Sequence, residues 1–360
     1  MQKLFLLGSL LWAGTGAAQQ KIDFETYNPP STLVVPRHPL AKAKFPFIDI
    51  HNHQYQMTSM NLGNLTSEMD KLNMRVMINL SGGSGDQLRD AVKNARQTKP
   101  GRFVVFANIN FKNVGEAGWG EKAARQLEED VQHGAGGLKI FKNLGFSVKD
   151  VSGARVPVDD PRLDPIWKKA GELNIPVLIH TADPKSFWDS LDNNNERWLE
   201  LIINPNRRRG ADNPLPFDAL IAEQHNLFKK HRNTTFIAAH FGWYPNDLDK
   251  LSSILDEMPN VVVEFGAVIA ELGRQPKMAK AFFTKYQDRI LFGKDSWVPS
   301  EYATYFRVLE TEDEYFPYHK KYHAFWAMYG MGLSDTILKK VYYKNALRLL
   351  PGIDKAGWPE

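Results

Sequence analysis

Eight apolar segments that each end in polar residues are the feature of this sequence that most limits its fold. Between most of them, apolar residues recur at three- and four-residue steps, as in 217–231 and 246–259, which is the spacing of an amphipathic helix. Apolar strands that alternate with helices are typical of a parallel sheet covered by helices. The eight segments are residues 45–53, 73–83, 102–110, 136–145, 175–184, 234–245, 260–267 and 289–297.

Eight strand–helix units predict an α/β fold, a (β/α)8 TIM barrel. An open doubly wound sheet is the alternative, but no Gly-rich dinucleotide-binding turn follows the first apolar segment. The interval from 183 to 233 is long for a barrel loop, so we expect it to carry helices or functional residues. The aromatic-rich segment 305–330 is predicted to be helical and to pack on the barrel or on a second subunit.

The N-terminus resembles a secretory signal peptide. A positive residue, Lys3, precedes an apolar stretch from Leu4 to Trp12, and small residues follow up to Ala18. The sequence thus predicts a signal peptide over 1–18, an extended arm over 19–44, the barrel over 45–352 and a C-terminal tail over 353–360. We expect an exported protein, periplasmic or secreted, without a membrane anchor after cleavage.

Charge and cysteine content narrow the partners and the metal chemistry. The formal net charge of +4 is small and evenly spread, which argues against a nucleic-acid partner. The chain has no cysteine, so disulfides, thiolate ligands and a cysteine nucleophile are excluded. Any metal ion must therefore be held by nitrogen and oxygen ligands.

Polar residues at the ends of the predicted strands indicate a metal site. His51 and His53 end the first strand, and residues two apart in a strand point to the same side. His180, His240 and Asp295 end the fifth, sixth and eighth strands. Because all these ends meet on one face of a barrel, we expect these five side chains to converge on a divalent ion.

These residues lie in motifs that resemble the amidohydrolase superfamily, specifically the amidohydrolase 2 branch of aromatic and semialdehyde acid decarboxylases, lactonases and other metal-dependent hydrolases. The resemblance covers nearly the whole chain after residue 47 and implies a TIM barrel. The motifs are IDIHNH, GLKIFKN, VLIHTADP, FIAAHFGWYP and ILFGKDSW.

The resemblance implies a role for each residue. His51, His53 and His180 would be metal ligands, and Asp295 would be both a ligand and the general base for a metal-bound water. His240 would hold a second metal ion or polarise the substrate. Lys139 would be either a carboxylated bridge between two ions or an ion-paired, substrate-binding lysine. Glu264 is expected either to support the metal ligands or to contact the substrate, and Trp243 is a further candidate for substrate contact. The ion is expected to be zinc, with manganese or iron as alternatives.

Three functions fit this pattern. The leading hypothesis is a metal-dependent hydrolase that cleaves a C–O or C–N bond of a small carbonyl compound with a metal-activated water. The second is a metal-dependent non-oxidative decarboxylase of a small carboxylic acid. The third, a binding protein with decayed catalysis, is disfavoured because none of the expected ligands is missing. A small-molecule substrate and a homodimer are expected.

Overall fold

A computed structural model describes residues 21–209 and 215–360 of the chain. The chain divides into two units, Met1–Val34 and Val35–Glu360. The predicted signal peptide lies outside the described residues. In the described part of the first unit, a turn is closed by a hydrogen bond of 3.1 Å from the Thr26 N–H to the Asp23 carbonyl.

Parallel strands form the centre of the second unit. They pair in the order β1-β2-β3 and β4-β5-β6-β7-β8-β9, and every one of these pairs is parallel. Their side chains are almost all buried, as expected for a parallel sheet covered on both faces. The strands are β1 (Phe47–Asn52), β2 (Met74–Asn79), β3 (Phe103–Val105), β4 (Ala107–Asn108), β5 (Leu138–Ile140), β6 (Val177–Ile179), β7 (Phe236–Ala238), β8 (Val261–Glu264) and β9 (Ile290–Leu291).

Backbone hydrogen bonds close these strands into the predicted (β/α)8 barrel. Segments β3 and β4 share the third position, because the chain around Phe106 changes from pairing with β2 to pairing with β5. On the other side, the Ile50 N–H donates to the Phe292 carbonyl at 3.0 Å and the Asp295 N–H donates to the His51 carbonyl at 2.7 Å. The last strand therefore joins the first, and it does so at the candidate ligands.

Helices follow the strands and pack their apolar faces on the barrel. The helix with the clearest pattern buries Leu88, Ala91, Val92 and Ala95, which lie three and four residues apart. The helices are α1 (Leu62–Lys71), α2 (Asp86–Thr98), α3 (Trp119–Gln132), α4 (Asn143–Phe146), α5 (Asp164–Glu172), α6 (Trp198–Ile203), α7 (Phe217–Lys230), α8 (Leu248–Glu257), α9 (Ile269–Arg274), α10 (Pro276–Lys285), α11 (Tyr302–Glu310), α12 (Asp335–Lys339) and α13 (Asn345–Leu349). No helix among the described residues is long and apolar enough to cross a bilayer.

The prediction of a helical segment over 305–330 is wrong for the residues after Glu310. Helix α11 ends at Glu310, and the chain then forms an antiparallel hairpin of β10 (Phe316–Pro317) and β11 (Ala327–Met328). Asp313 holds the chain outside the helix by accepting hydrogen bonds from the His38 N–H at 2.7 Å and the Arg307 side chain at 2.6 Å. Pro317 lacks the N–H that a helix needs.

Residues 353–360, predicted as a tail, lie against the barrel. The Trp358 ring stacks on Tyr343 with centroids 5.1 Å apart, and the Arg75 guanidinium lies 4.6 Å from the Trp358 ring. The Tyr343 hydroxyl also donates to the Pro359 carbonyl at 2.7 Å.

Candidate metal centre

Three predicted ligands meet where the barrel closes. Asp295 Oδ1 lies 3.3 Å from His51 Nε2 and 3.5 Å from His53 Nε2. The ligand atoms of these three residues all lie within 4.8 Å of one another. Asn52, between the two histidines, points away from them and donates to the Tyr302 hydroxyl at 3.1 Å. His51 and His53 therefore point to the same side of β1, as expected, and the Asp295 carboxylate lies beside both of them.

Asp295 is held in an unfavourable backbone conformation. Its φ of 84° is left-handed, which costs a non-glycine residue on the order of 1–3 kcal/mol. The hydrogen bond from its N–H to the His51 carbonyl keeps it there. Gly293 allows the close approach, because a Cβ at that position would lie 2.3 Å from Glu264 Oε2 and 3.0 Å from the His51 Cβ.

Glu264 lies behind His51 and fixes its orientation. The fully buried carboxylate accepts from His51 Nδ1 at 2.8 Å, from the His240 N–H at 2.8 Å and from the Gly266 N–H at 2.6 Å. Because Nδ1 donates, the lone pair of His51 is on Nε2, which faces Asp295. Glu264 is therefore placed to orient the metal ligand His51. Both of its oxygens accept hydrogen bonds from N–H groups, so it is not placed to bind substrate. His51, His240 and Glu264 also form a close group, but both oxygens of Glu264 already accept hydrogen bonds from N–H donors.

Ser81 orients the second histidine of the pair. Its hydroxyl lies 2.8 Å from His53 Nδ1, and His53 Nε2 faces Asp295. No role for Ser81 was predicted, although it follows the second strand at the same face of the barrel as the other candidates. Its position at a strand end was the signal that could have identified it.

His180 and His240 form a separate pair. His180 Nδ1 lies 3.3 Å from His240 Nε2, while the other ring nitrogens lie 2.7 Å from the Ala182 carbonyl and 2.6 Å from the Gly266 carbonyl. A nitrogen that contacts a carbonyl must be the donor, so the two facing nitrogens both carry lone pairs. Two facing lone pairs repel unless a cation lies between them. This geometry favours the metal-holding role of His240 over oxyanion donation.

An unusual turn places His240. The residues from His240 to Trp243 all have left-handed φ values, between 56° and 62°. Such backbone costs roughly 1–2 kcal/mol for each non-glycine residue. Phe241 is fully buried and its ring lies 5.5 Å from that of Phe282, and this packing offsets part of the cost. Clustered strain of this kind is typical of functional sites.

Lys139 reaches the same region from β5. Its side chain is buried, its Nζ has no hydrogen-bond partner among the described residues, and it lies 5.4 Å from the Phe141 ring. Burial lowers the pKa of Lys139 to about 8, although Asp295 and Glu264 act in the opposite direction. A buried amine with an unmet bonding capacity suits either predicted role of this lysine.

The protonation states suit a metal ion. Burial lowers the pKa values of His51, His180 and His240, so these imidazoles are neutral and keep a lone pair at neutral pH. Burial alone would raise the pKa of Asp295, but the electrostatic and hydrogen-bond contacts that its carboxylate makes with the imidazoles of His51, His53 and His240 hold it well below its usual range. Two imidazoles and a carboxylate are a donor set for zinc, manganese or iron. His51 Nε2, buried without a hydrogen-bond partner among the described residues, also fits this assignment.

A cavity of about 190 Å³ opens beside these residues. Asp295, His180, His240 and Trp243 form one part of its lining. The centroid of the Trp243 ring lies 4.6 Å from that of His240, so Trp243, a candidate for substrate contact, borders the cavity. Other lining residues come from positions that sequence analysis did not assign to the site: Lys142, Arg197, Glu200, Lys320, Tyr322 and His323.

Comparisons with known proteins agree with this fold. The structure of a dihydroxybenzoic acid decarboxylase from Polaromonas sp. JS666, with bound manganese and the inhibitor 2-nitroresorcinol, is 16% identical with a TM-score of 0.53 over 85% of this chain and 96% of that one. A 4-oxalomesaconate hydratase from Rhodopseudomonas palustris is 14% identical with a TM-score of 0.52 over 86% and 96%. An uncharacterised TIM-barrel protein from Bordetella bronchiseptica is 15% identical with a TM-score of 0.50 over 84% and 97%.

At these identities the structural likeness concerns the fold. No curated protein matches the chain significantly. The family model described as amidohydrolase matches residues 81–352, which is more than half of the chain. This protein therefore belongs to the amidohydrolase family of metal-dependent enzymes.

Proposed function

We propose that this enzyme is a hydrolase that uses a divalent ion, most suitably zinc, to cleave a C–O or C–N bond of a small carbonyl compound. The observation that carries the proposal is the position of Asp295 Oδ1, 3.3 Å from His51 Nε2 and 3.5 Å from His53 Nε2. A carboxylate beside two ligand nitrogens can contact both an ion and its water. Manganese and iron are accepted by the same donors.

Each residue has a defined task in this proposal. His51 and His53 hold the ion, with Glu264 and Ser81 fixing the two imidazole rings. A bound divalent ion lowers the pKa of its water to about 7 and polarises a carbonyl oxygen. Asp295 takes the proton of the attacking water and returns it to the leaving group. Its low pKa keeps it ionised, which a base requires.

The number of ions depends on the remaining ligands. His180 Nδ1 and His240 Nε2, 3.3 Å apart with their lone pairs facing each other, support a second ligand pair. Lys139 would bridge two ions as a carbamate, or bind substrate as an ammonium if one ion is present. Elemental analysis of the native protein gives the count, and carbon-13 NMR of the intact, metal-loaded protein equilibrated with labelled bicarbonate detects a carbamate at Lys139.

A non-oxidative decarboxylase is the second candidate. Lys139 Nζ favours it, since it is buried and has no hydrogen-bond partner in the described part of the chain. An ammonium group there would bind a substrate carboxylate and stabilise the charge that develops as carbon dioxide leaves. The fold likeness to a dihydroxybenzoic acid decarboxylase agrees with this alternative. Carbon dioxide release from a panel of hydroxybenzoic acids distinguishes the two reactions.

The experiment that tests the hydrolase proposal uses metal-loaded wild type and Asp295→Asn. We expect the wild type to hydrolyse members of a panel of small lactones, esters and amides, and the variant to lose this turnover while keeping part of its metal. A variant with unchanged turnover would contradict the assignment of Asp295 as the base. Release of carbon dioxide without hydrolysis would favour the decarboxylase.

We also propose that the protein is exported, with cleavage near Ala18. The support is the order of Lys3, the apolar stretch and the small residues at the N-terminus. N-terminal sequencing of the protein recovered from the periplasm or medium tests this. An intact N-terminus on cell-associated protein would contradict it.

A further inference from the structure

The cavity beside Asp295 has a strongly basic part, which we call the basic wall: Lys142, Arg197, Arg207, Lys320 and His323. Lys320 and His323 come from the chain between β10 and β11, the part that sequence analysis assigned to packing. Arg207 comes from the long interval after β6. The basic wall is therefore built by loops, which are the parts of a barrel that determine its substrate.

Three of the four cations in the basic wall are already paired. Lys142 Nζ lies 2.6 Å from Asp183, and Glu200 accepts from Arg197 and from Arg207, each at 2.6 Å. Arg197 also contacts the Glu271 carboxylate, so these pairs fix the positions of the side chains and offset much of their charge. Lys142, Arg197 and Arg207 therefore support the basic wall, and they are less available than Lys320 to bind an anion.

Lys320 differs from these three residues. Its ion-pair contact among the described residues is Glu301 Oε2 at 4.0 Å, beyond hydrogen-bond range. That carboxylate already contacts the buried Lys294 Nζ and lies 3.5 Å from His319 Nε2. The Lys320 side chain is only 16% exposed. A largely desolvated ammonium without a close counter-ion lies at the cavity and would attract an anion.

His323 supplies an unpartnered polar group beside it. Its side chain is 8% exposed, and neither ring nitrogen has a hydrogen-bond partner among the described residues. The Glu200 carboxylate lies 3.4 Å from Nε2, outside hydrogen-bond geometry. Burial, together with Arg197 and Lys320, lowers the pKa of His323 to about 2, so the ring is neutral and one nitrogen remains a donor. Buried polar groups without partners are costly, and a ligand at this position would satisfy them.

We propose that Lys320 and His323 bind a free carboxylate of the substrate, one that is distinct from the carbonyl group reacting beside Asp295. The substrate is then a small ester, lactone or amide that also carries a carboxylate. The inference rests on the proposed function, because it assigns a second attachment point in the same cavity. A cavity of about 190 Å³ accommodates a small molecule of this kind.

The binding of dicarboxylates tests this proposal independently of turnover. Malonate, succinate and glutarate are titrated into the metal-loaded full-length protein beside acetate, propionate and butyrate. One carboxylate of each probe can occupy the reacting position, and only the first three probes offer a second. We expect at least one dicarboxylate to bind about tenfold more tightly than its monocarboxylate counterpart, since a charge-assisted contact contributes this much.

Two lysines that are adjacent in sequence provide the matched pair of variants. Lys320→Met should remove the preference for the dicarboxylate, while Lys321→Met, at an exposed position outside the cavity lining, should keep it. His323→Gln, which restores one donor, should keep part of it. Equal affinity of the two probe classes for wild type, or equal losses in both lysine variants, would overturn the proposal. A retained dicarboxylate preference without hydrolysis would instead contradict only the proposed reaction.

Discussion

Replacing Glu264 by Gln should weaken metal binding without touching a metal ligand. The substitution keeps the shape of the side chain but removes its charge. One oxygen can still accept from His51 Nδ1 and the His240 N–H, but the new amide NH₂ group then faces the Gly266 N–H at the position where Oε2 now lies 2.6 Å away. Two donors cannot bond to each other, so a buried N–H is left unpaired.

The expected effects follow from these contacts. An unsatisfied buried donor costs about 1–3 kcal/mol of folding free energy. The loss of a charged partner behind a metal-binding imidazole typically weakens metal affinity by roughly 10- to 100-fold, which corresponds to about 1.4 to 2.7 kcal/mol. The wild-type carboxylate is held ionised, because His51 and the Gly266 N–H lower its pKa to about 2 against the effect of burial.

Competition with a fluorescent zinc chelator measures the affinity, and thermal denaturation of the chelated protein measures the stability. Glu223→Gln is the matched control, because Glu223 also accepts from a backbone N–H, that of Val158 at 2.9 Å, and from the Arg155 guanidinium. The control should lose stability but keep wild-type metal affinity. If Glu264→Gln also keeps wild-type affinity, Glu264 does not orient a ligand and the account of His51 is wrong.

Three further variants test neighbouring parts of the account. Gly293→Ala should lower both metal affinity and the melting temperature, because its Cβ would lie 2.3 Å from Glu264 Oε2; a fully metal-loaded variant would refute the packing argument. Glu301→Gln should destabilise the fold by about 3 kcal/mol in denaturant titrations, because the amide oxygen can still accept from Lys294 but no longer balances the charge of its buried ammonium; an unchanged midpoint would contradict this. Asp295→Asn should reduce hydrolytic turnover at least about 100-fold while metal analysis still detects part of the ion, and a drop in metal content alone would leave Asp295 as a ligand and not as the base.

Local pattern was enough to predict the barrel and the proximity of His51 and His53. Apolar runs flanked by helical periodicity mark strands regardless of distant contacts, and the two-residue step of a strand places His51 and His53 on one side. The common direction of parallel strands brings Asp295 to the same face. These inferences needed only the order of the elements along the chain.

The remaining features depend on contacts between distant residues. Glu264 could be assigned to either side of β8, and only its contact with His51, which is 213 residues away in sequence, determines its role. The left-handed turn at His240 is stabilised by the burial of Phe241 and not by a glycine-rich pattern. The hairpin after α11 depends on Asp313, which binds His38 across 275 residues. Such long-range pairings carry no local periodicity, and this is why Lys320 and His323 were missed.

Metal content of the natively purified protein tests the central claim most directly. Elemental analysis of wild type and of a His51→Ala, His53→Ala double variant, each also after incubation with zinc or manganese and removal of free ion, gives the number of ions per chain. The account predicts one or two ions in wild type. These ions should be lost in the double variant, because it lacks the ligand nitrogens of His51 and His53 beside Asp295. A wild type that takes up no metal under any of these conditions, or a double variant that retains the full amount, would contradict it.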